Sequence, residues 1–248
     1  MRDYNPTRTT AHCAEFFLPL NFLIGKLGSY YNRRTKLFPD SAHAMLEICN
    51  LACTRGDHLL FSNLSFSLSA GELLQVEGVN GSGKTSLLRT LCGFMVPTAG
   101  EIKWRGQNIK KLDEEFYAEM IYLGHLNAVK DELNALENLR ITAGLTGCAA
   151  NDEQLVAALR RMGLRGRETL PVMVLSQGQR RRVALARLLF SNAPLWILDE
   201  PLTALDVGAV GLMQELIGEH LANNGMVIYT THQPLEVAGV TTRRLSLS

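Results

Sequence analysis

The residues with the clearest chemical potential form a glycine-rich loop that ends in a lysine and a hydroxyl side chain. The loop is Gly78-Val79-Asn80-Gly81-Ser82-Gly83-Lys84-Thr85-Ser86. It matches G-x-x-x-x-G-K-[ST] at every fixed position. Glycines let consecutive backbone N–H groups curl around a phosphate, and the N-terminus of a following helix adds the positive end of its dipole. The loop therefore predicts an ATP site, in which Lys84 contacts the β and γ oxygens and Thr85 offers a hydroxyl to Mg²⁺.

A dinucleotide site and a ligand-free glycine turn are the alternatives for this loop. The residues favour the ATP site over both. A dinucleotide site requires an acidic residue after a second strand, and none is placed there. That site would also leave Lys84 without a role. A tight glycine turn with no ligand would account for neither Lys84 nor Thr85, so the phosphate site is the better interpretation.

A second chemical feature is a pair of carboxylates at the end of an apolar segment, Leu195-Trp196-Ile197-Leu198-Asp199-Glu200. Asp199 can hold the water shell of Mg²⁺, and Glu200 can polarise an attacking water as a general base. An ordinary acidic turn after a strand is the alternative when this segment is considered alone. The phosphate loop in the same chain favours the catalytic interpretation.

A third feature is Leu175-Ser176-Gln177-Gly178-Gln179, which precedes a predicted helix. A serine and a glycine that open a helix can form an anion site, and Ser176 can also cap the helix. Together with the two features above, this segment resembles the signature of the ABC ATPases, usually LSGGQ; Gln177 stands at the first glycine. The resemblance implies that Ser176, Gln177 and Gly178 cap the γ-phosphate held by a second subunit in an ATP-bound homodimer.

The same resemblance assigns three further positions. Thr203-Ala204-Leu205-Asp206 resembles the D-loop that passes between the two subunits, and His232 resembles the switch histidine that contacts the γ-phosphate. His125 stands where the family usually has a glutamine, and a neutral imidazole can also make one hydrogen bond there. The alternatives are a structural cap for His232 and an ordinary loop histidine for His125.

The elements that must position these residues follow from hydrophobic periodicity. Strands and helices alternate, which predicts an α/β fold. The resemblance implies a P-loop ABC-type ATPase domain over residues 45–248, with a mixed or parallel sheet core, an antiparallel β subdomain and a helical subdomain at about 125–170. The predicted strands are 46–51, 64–68, 72–77, 195–198 and 226–230. The predicted helical segments are 86–92, 132–164 with a break at 144–147, 177–190 and 212–221.

Composition limits the other classes of function. The chain has 248 residues, 46% of them apolar, and a net charge of +1. Without a basic stripe that carries interleaved aromatic residues, we expect no nucleic acid as a partner. The longest apolar stretch near the N-terminus, Phe16–Ile24, falls far short of the ~20 residues that cross a bilayer. A membrane role must therefore come through a partner or through surface attachment.

Residues 1–44 differ from the remainder because they follow no sustained period. We expect an N-terminal extension that is disordered, or a start codon placed upstream of the true start at Met45. A basic surface anchor and a cleaved targeting segment are the alternatives.

Three segments narrow the resemblance within the family. Gly124-His125, Gly100–Gly106 and Leu175–Arg187 are similar to the haem-exporter ATPases of cytochrome c maturation, the CcmA family. This implies membrane-spanning ABC subunits as partners and a peripheral location on the cytoplasmic face of the cell inner membrane. An ABC ATPase for another substrate, such as a drug, metal or lipid, is the alternative. A non-transport ABC protein is a further one, although such proteins usually carry tandem domains or long coiled coils.

Overall fold

The computed structural model describes residues 45–112 and 114–247. The extension predicted over residues 1–44 lies outside this described part. The strands are β1 (Leu46–Arg55), β2 (His58–Leu68), β3 (Leu73–Glu77), β4 (Ala99–Trp104), β5 (Gln107–Asn108), β6 (Met120–Leu123), β7 (Leu195–Asp199), β8 (Met226–Thr230) and β9 (Thr242–Ser246). The α-helices are α1 (Lys84–Leu91), α2 (Ile109–Leu112), α3 (Glu114–Ala118), α4 (Ala135–Leu145), α5 (Asp152–Arg161), α6 (Gln177–Leu185) and α7 (Val207–Ala222).

Five strands form a parallel sheet in the order β6-β7-β8-β3-β9. Every residue of β7 and β8 is buried, as expected for strands covered on both faces. Because β3 and β7 both flank β8, their carboxyl ends meet at one edge of the sheet. The glycine loop, the two carboxylates and the segment that carries His232 are therefore brought to the same edge.

The remaining four strands form an antiparallel sheet in the order β2-β1-β4-β5. The β1–β2 hairpin turns at Gly56-Asp57, with Arg55 paired to His58. The expected α/β fold, with a parallel core sheet and an antiparallel sheet beside it, is confirmed. Strands β4, β5, β6 and β9 were not among the strands that the periodicity predicted.

Two apolar clusters cover opposite faces of the parallel sheet. Trp196 and Leu198 of β7 face helices α4 to α7, whereas Leu195 and Ile197 face α1 and the antiparallel sheet. This alternation follows from the two-residue period of a strand. The parallel sheet thus lies between helices α4 to α7 on one face and α1 with the antiparallel sheet on the other.

The helical segments begin and end at identifiable caps. Asn134 and Asn151 each form a capping box, and the break between α4 and α5 spans 146–151. The predicted helix at 177–190 is α-helical to Leu185 and continues as a 3₁₀ segment, Ala186–Leu189. Among residues 45–112 and 114–247, no helix has the length and apolar character needed to span a membrane.

Candidate functional site

The glycine loop connects β3 to α1, and its backbone at the three glycine positions disfavours larger residues. A Cβ placed on Gly78 would come within 2.4 Å of Ser82 Oγ and 2.8 Å of the Leu247 carbonyl oxygen. Gly81 and Gly83 have φ angles of 88° and 95°, in the left-handed region. The loop therefore requires its glycines for shape, as a phosphate cradle does.

The N-terminus of α1 carries the features of an anion site. Gly83 is the N-cap and supplies no side-chain acceptor, so the first N–H groups of the helix remain available. Lys84 Nζ donates to the carbonyl oxygens of Gly78, at 2.7 Å, and Val79, at 3.1 Å, which keeps the ammonium at the loop. Ser82 Oγ is buried without a hydrogen-bond partner among the described residues. These groups fit the phosphates of a nucleotide.

Two hydroxyl groups converge on the first carboxylate. Thr85 Oγ1 donates to Asp199 Oδ2 at 2.8 Å, and Thr230 Oγ1 donates to Asp199 Oδ1 at 2.7 Å. Asp199 is only 2% exposed. Burial raises the pKa of the nearby Cys92 thiol well above its usual value, and the negative charge of Asp199 acts in the same direction. A hydroxyl and a buried carboxylate within hydrogen-bonding distance are the hard oxygen ligands that Mg²⁺ prefers, so these residues fit the ion.

Glu200 holds an uncommon backbone conformation beside this carboxylate. Its φ of 51° is in the left-handed region, which costs about 1–3 kcal/mol for a residue other than glycine. Its N–H donates to both oxygens of Thr230, Oγ1 at 3.0 Å and the carbonyl at 3.2 Å. His232 Nε2 lies 3.4 Å from Glu200 Oε1, and the two side chains are 59% and 17% exposed. The partly exposed carboxylate and the imidazole can therefore act on the same water.

The start of α6 and the loop between β7 and α7 form a second group. Ser176 caps α6 in a capping box with Gln179, and both Ser176 and Gln177 are exposed. A Cβ on Gly178 would lie 2.7 Å from the Ala204 carbonyl oxygen. Asp206 caps α7 and pairs with Arg182. The signature segment and the D-loop are thus packed together, and Asp206 has a structural role in its own chain.

His125 lies in the loop that follows β6 and is exposed. A Cβ on the preceding Gly124 would lie 3.2 Å from the ring of Tyr122. The Gly124 carbonyl accepts a hydrogen bond from Arg181 Nη1 at 3.0 Å. The loop that carries His125 is therefore anchored to α6. The nucleotide role of His125 remains a prediction.

Two residues that contact this site carried no predicted role. Thr230 connects Asp199 with the N–H of Glu200, and Arg181 donates to backbone oxygens of Asp199 and Glu200. The sequence contained a signal for the burial of Arg181. This residue shares the helical spacing of the apolar residues Ala184, Leu185 and Leu188, which form a buried stripe. A charged residue in such a stripe must find buried partners.

Comparisons with known proteins agree with this arrangement. The ABC transporter family matches residues 61–203. The cytochrome c biogenesis ATP-binding export protein CcmA of Nitrosomonas europaea is 58% identical over 82% of this chain and 96% of its own length. The protein of the same name from Vibrio parahaemolyticus is 45% identical over 82% of this chain and 99% of its own length. The chain belongs to the CcmA family of ABC ATP-binding proteins.

Solved structures show the same fold for this ABC ATPase. A putative ABC transporter ATP-binding protein from Pyrococcus furiosus aligns with a TM-score of 0.70 and 28% identity, over 82% of this chain and 96% of that one. A dimeric ATP-binding cassette in a post-hydrolysis state, bound to ADP and phosphate, aligns with a TM-score of 0.68 over 76% of this chain and 88% of that one. At 23% identity, the second likeness concerns the fold alone.

Gly178→Ala is expected to reduce ATP hydrolysis by this ABC ATPase about tenfold, because overpacking against a backbone oxygen costs about 1–3 kcal/mol. The added Cβ would have to displace the Ala204 carbonyl and with it the D-loop. Phosphate release by the purified chain measures the effect. Gly144→Ala is the matched control, since a Cβ there meets nothing within 4 Å. Equal rates for the two variants would contradict the close packing of signature segment and D-loop.

Proposed function

We propose that this ABC ATPase hydrolyses Mg-ATP on the loop Gly78–Ser86 and drives a membrane complex that exports haem for cytochrome c maturation. The observation that carries the ATPase part is the Thr85–Asp199 hydrogen bond of 2.8 Å, which joins the loop to the carboxylates across the sheet edge. The names of the relatives support the cytochrome c part.

The loop residues would bind the triphosphate. The backbone N–H groups from Gly78 to Ser86 surround the phosphates, and Lys84 neutralises charge on the β and γ oxygens. Thr85 and Asp199 would hold Mg²⁺, which when bound neutralises charge on the β and γ oxygens and orients them.

Glu200 is proposed as the general base. Its carboxylate takes a proton from water while the water oxygen forms a bond to the γ-phosphorus. The bond from that phosphorus to the bridging oxygen breaks, and ADP keeps the electron pair. His232, 3.4 Å from the carboxylate, would contact the γ-phosphate and orient the water. His125 is proposed to contribute one hydrogen bond to the water or to the Mg²⁺ shell.

Ser176, Gln177 and Gly178 are proposed to act on a nucleotide held by a second copy of the chain. Ser176 and Gln177 are exposed at the N-terminus of α6, where an anion would be favoured by the free N–H groups and the dipole. Asp206 lies in the loop that would pass between the subunits. ATP would therefore stabilise a homodimer with two shared sites.

The partners are proposed to be membrane-spanning ABC subunits, with this chain bound peripherally at the cytoplasmic face of the inner membrane. The haem-exporter resemblance of Gly124-His125 and Leu175–Arg187 supports this choice over another transported substrate. We expect no nucleic acid in the complex, since the net charge is only +1.

Deletion of the gene is expected to abolish covalent attachment of haem to c-type cytochromes, because the membrane partners would have no other source of ATP hydrolysis. Haem staining of proteins from the deletion strain measures this, with a b-type haem protein as the control that should persist. Wild-type chain should restore staining and Lys84→Ala should not. Normal c-type cytochromes in the deletion strain would contradict the haem-export assignment and leave the ATPase assignment intact.

A further inference from the structure

One guanidinium group is buried at the junction of three segments around the site. Arg181, on α6, is 3% exposed. Its Nη1 donates to the Gly124 carbonyl at 3.0 Å and to Asn127 Oδ1 at 3.2 Å. Its Nη2 donates to the carbonyl oxygens of Asp199 at 3.1 Å and Glu200 at 2.8 Å. A single side chain therefore joins α6, the loop that carries His125, and the end of β7.

The hydrogen bond to Glu200 acts on a backbone that needs external support. A residue other than glycine keeps a left-handed φ only when several contacts with the surrounding structure hold its backbone there. Thr230 accepts the N–H of Glu200, and Arg181 donates to the Glu200 carbonyl from the other side of the residue. The two contacts hold both peptide groups of Glu200, and thereby the direction in which its carboxylate points.

The geometry of this position favours arginine over lysine. Guanidinium presents five N–H donors in a planar fork, whereas an ammonium is a compact point charge. Burial lowers the pKa of Arg181 from its usual value, and the charges of Asp199 and Glu200 act in the opposite direction. The cation thus lies against two carboxylate-bearing residues and contacts them through their backbone oxygens, which leaves both carboxylates available.

We propose that Arg181 is a positioning residue for ATP hydrolysis, which orients Glu200 and the 124–127 loop from within the helix that begins at the signature segment. The proposal rests on the proposed role of Glu200 as the base. Because Ser176 caps α6, this contact connects the site of one subunit to the segment that would act on the nucleotide of the other.

The test compares Arg181→Gln and Arg181→Lys in the purified full chain. The turnover number for ATP is expected to fall about 10- to 100-fold in Arg181→Gln, since small displacements of a catalytic group have effects of this size. The dissociation constant for Mg-ATP should change less than about threefold, because the loop Gly78–Ser86 is untouched. Arg181→Lys keeps a charged donor, so the same pattern with a smaller loss is expected; this variant also serves if Arg181→Gln fails to fold.

A double variant separates positioning from general damage to the fold. If Arg181 acts through Glu200, then Arg181→Gln should add less than about threefold to the loss already caused by Glu200→Gln. If the fold-loss of the double variant equals the product of the two single losses, the proposal is overturned. An unchanged turnover number in Arg181→Gln would also overturn it. Arg140→Gln is the matched control, because Arg140 forms an exposed ion pair with Asp152 and should keep its turnover within about twofold.

The outcomes also distinguish this proposal from the proposed function. If Glu200→Gln loses activity while Arg181→Gln keeps it, only the role of Arg181 is wrong. If Glu200→Gln retains the wild-type rate, the assignment of Glu200 as the base is wrong, and so is the positioning role of Arg181 that rests on it.

Discussion

Glu200→Gln is expected to lower the rate of ATP hydrolysis by about 10²-fold or more, because the amide keeps the shape of the side chain but cannot accept a proton from water. ATP should still bind, since Lys84 and the glycine loop are unchanged. With hydrolysis blocked, each bound ATP should remain between Lys84 of one chain and Ser176 of the other. The variant should therefore form an ATP-dependent dimer, which size-exclusion chromatography with light scattering measures.

A matched control for this prediction is Glu215→Gln, the same chemical change at an exposed position of α7. It should keep the wild-type rate within about twofold and should show no additional dimer. A Glu200→Gln variant that binds ATP and stays monomeric, with or without the membrane partner, would contradict the shared site. Full activity in that variant would contradict the base assignment.

Lys84→Ala is expected to weaken ATP binding by roughly 30-fold to several hundredfold, which corresponds to about 2–4 kcal/mol for a charged contact to phosphate. The ammonium already lies at the loop, where it donates to two carbonyl oxygens at 2.7 and 3.1 Å. Its removal leaves the triphosphate charge less compensated. Isothermal titration with Mg-ATP, or with a non-hydrolysable analogue, measures the loss.

The control for Lys84→Ala is Lys110→Ala, which removes the same charge from an exposed position of α2. That variant should bind ATP as the wild type does, and both should give the circular dichroism spectrum of the folded chain. Unchanged affinity in a folded Lys84→Ala variant would remove the central binding hypothesis. Equal losses in both variants would mean that net charge, and not the loop, governs binding.

The fold class was predictable because the buried strands have short, continuous apolar segments with helices between them. Met226–Thr230 was predicted at its observed limits, and Leu195–Leu198 differs from β7 by one residue. The predicted helix at 212–221 begins earlier, at Val207, because Asp206 caps it. Strand β9 carries exposed arginines, so no periodic pattern marked it, and it is defined by its pairing with β3.

Most residues of the proposed site were identified from the sequence, because a phosphate loop is a local structure and the spacing of its glycines determines its shape. Gly78 to Ser86 contain the proposed phosphate cradle, the lysine charge and the hydroxyl proposed to bind Mg²⁺ within nine consecutive residues. The carboxylates Asp199 and Glu200 were likewise marked by the apolar strand before them. Local motifs of this kind can be recognised without knowledge of the packing around them.

The tertiary structure alone decided how these pieces are held together. Thr85 and Asp199 are 114 residues apart, and Arg181 and Gly124 are 57 apart. No sequence period relates such positions, because their contact depends on strand order and on the packing of α6 against the sheet edge. The left-handed backbone of Glu200, its support by Thr230 and Arg181, and the close approach of Gly178 to Ala204 are properties of that packing.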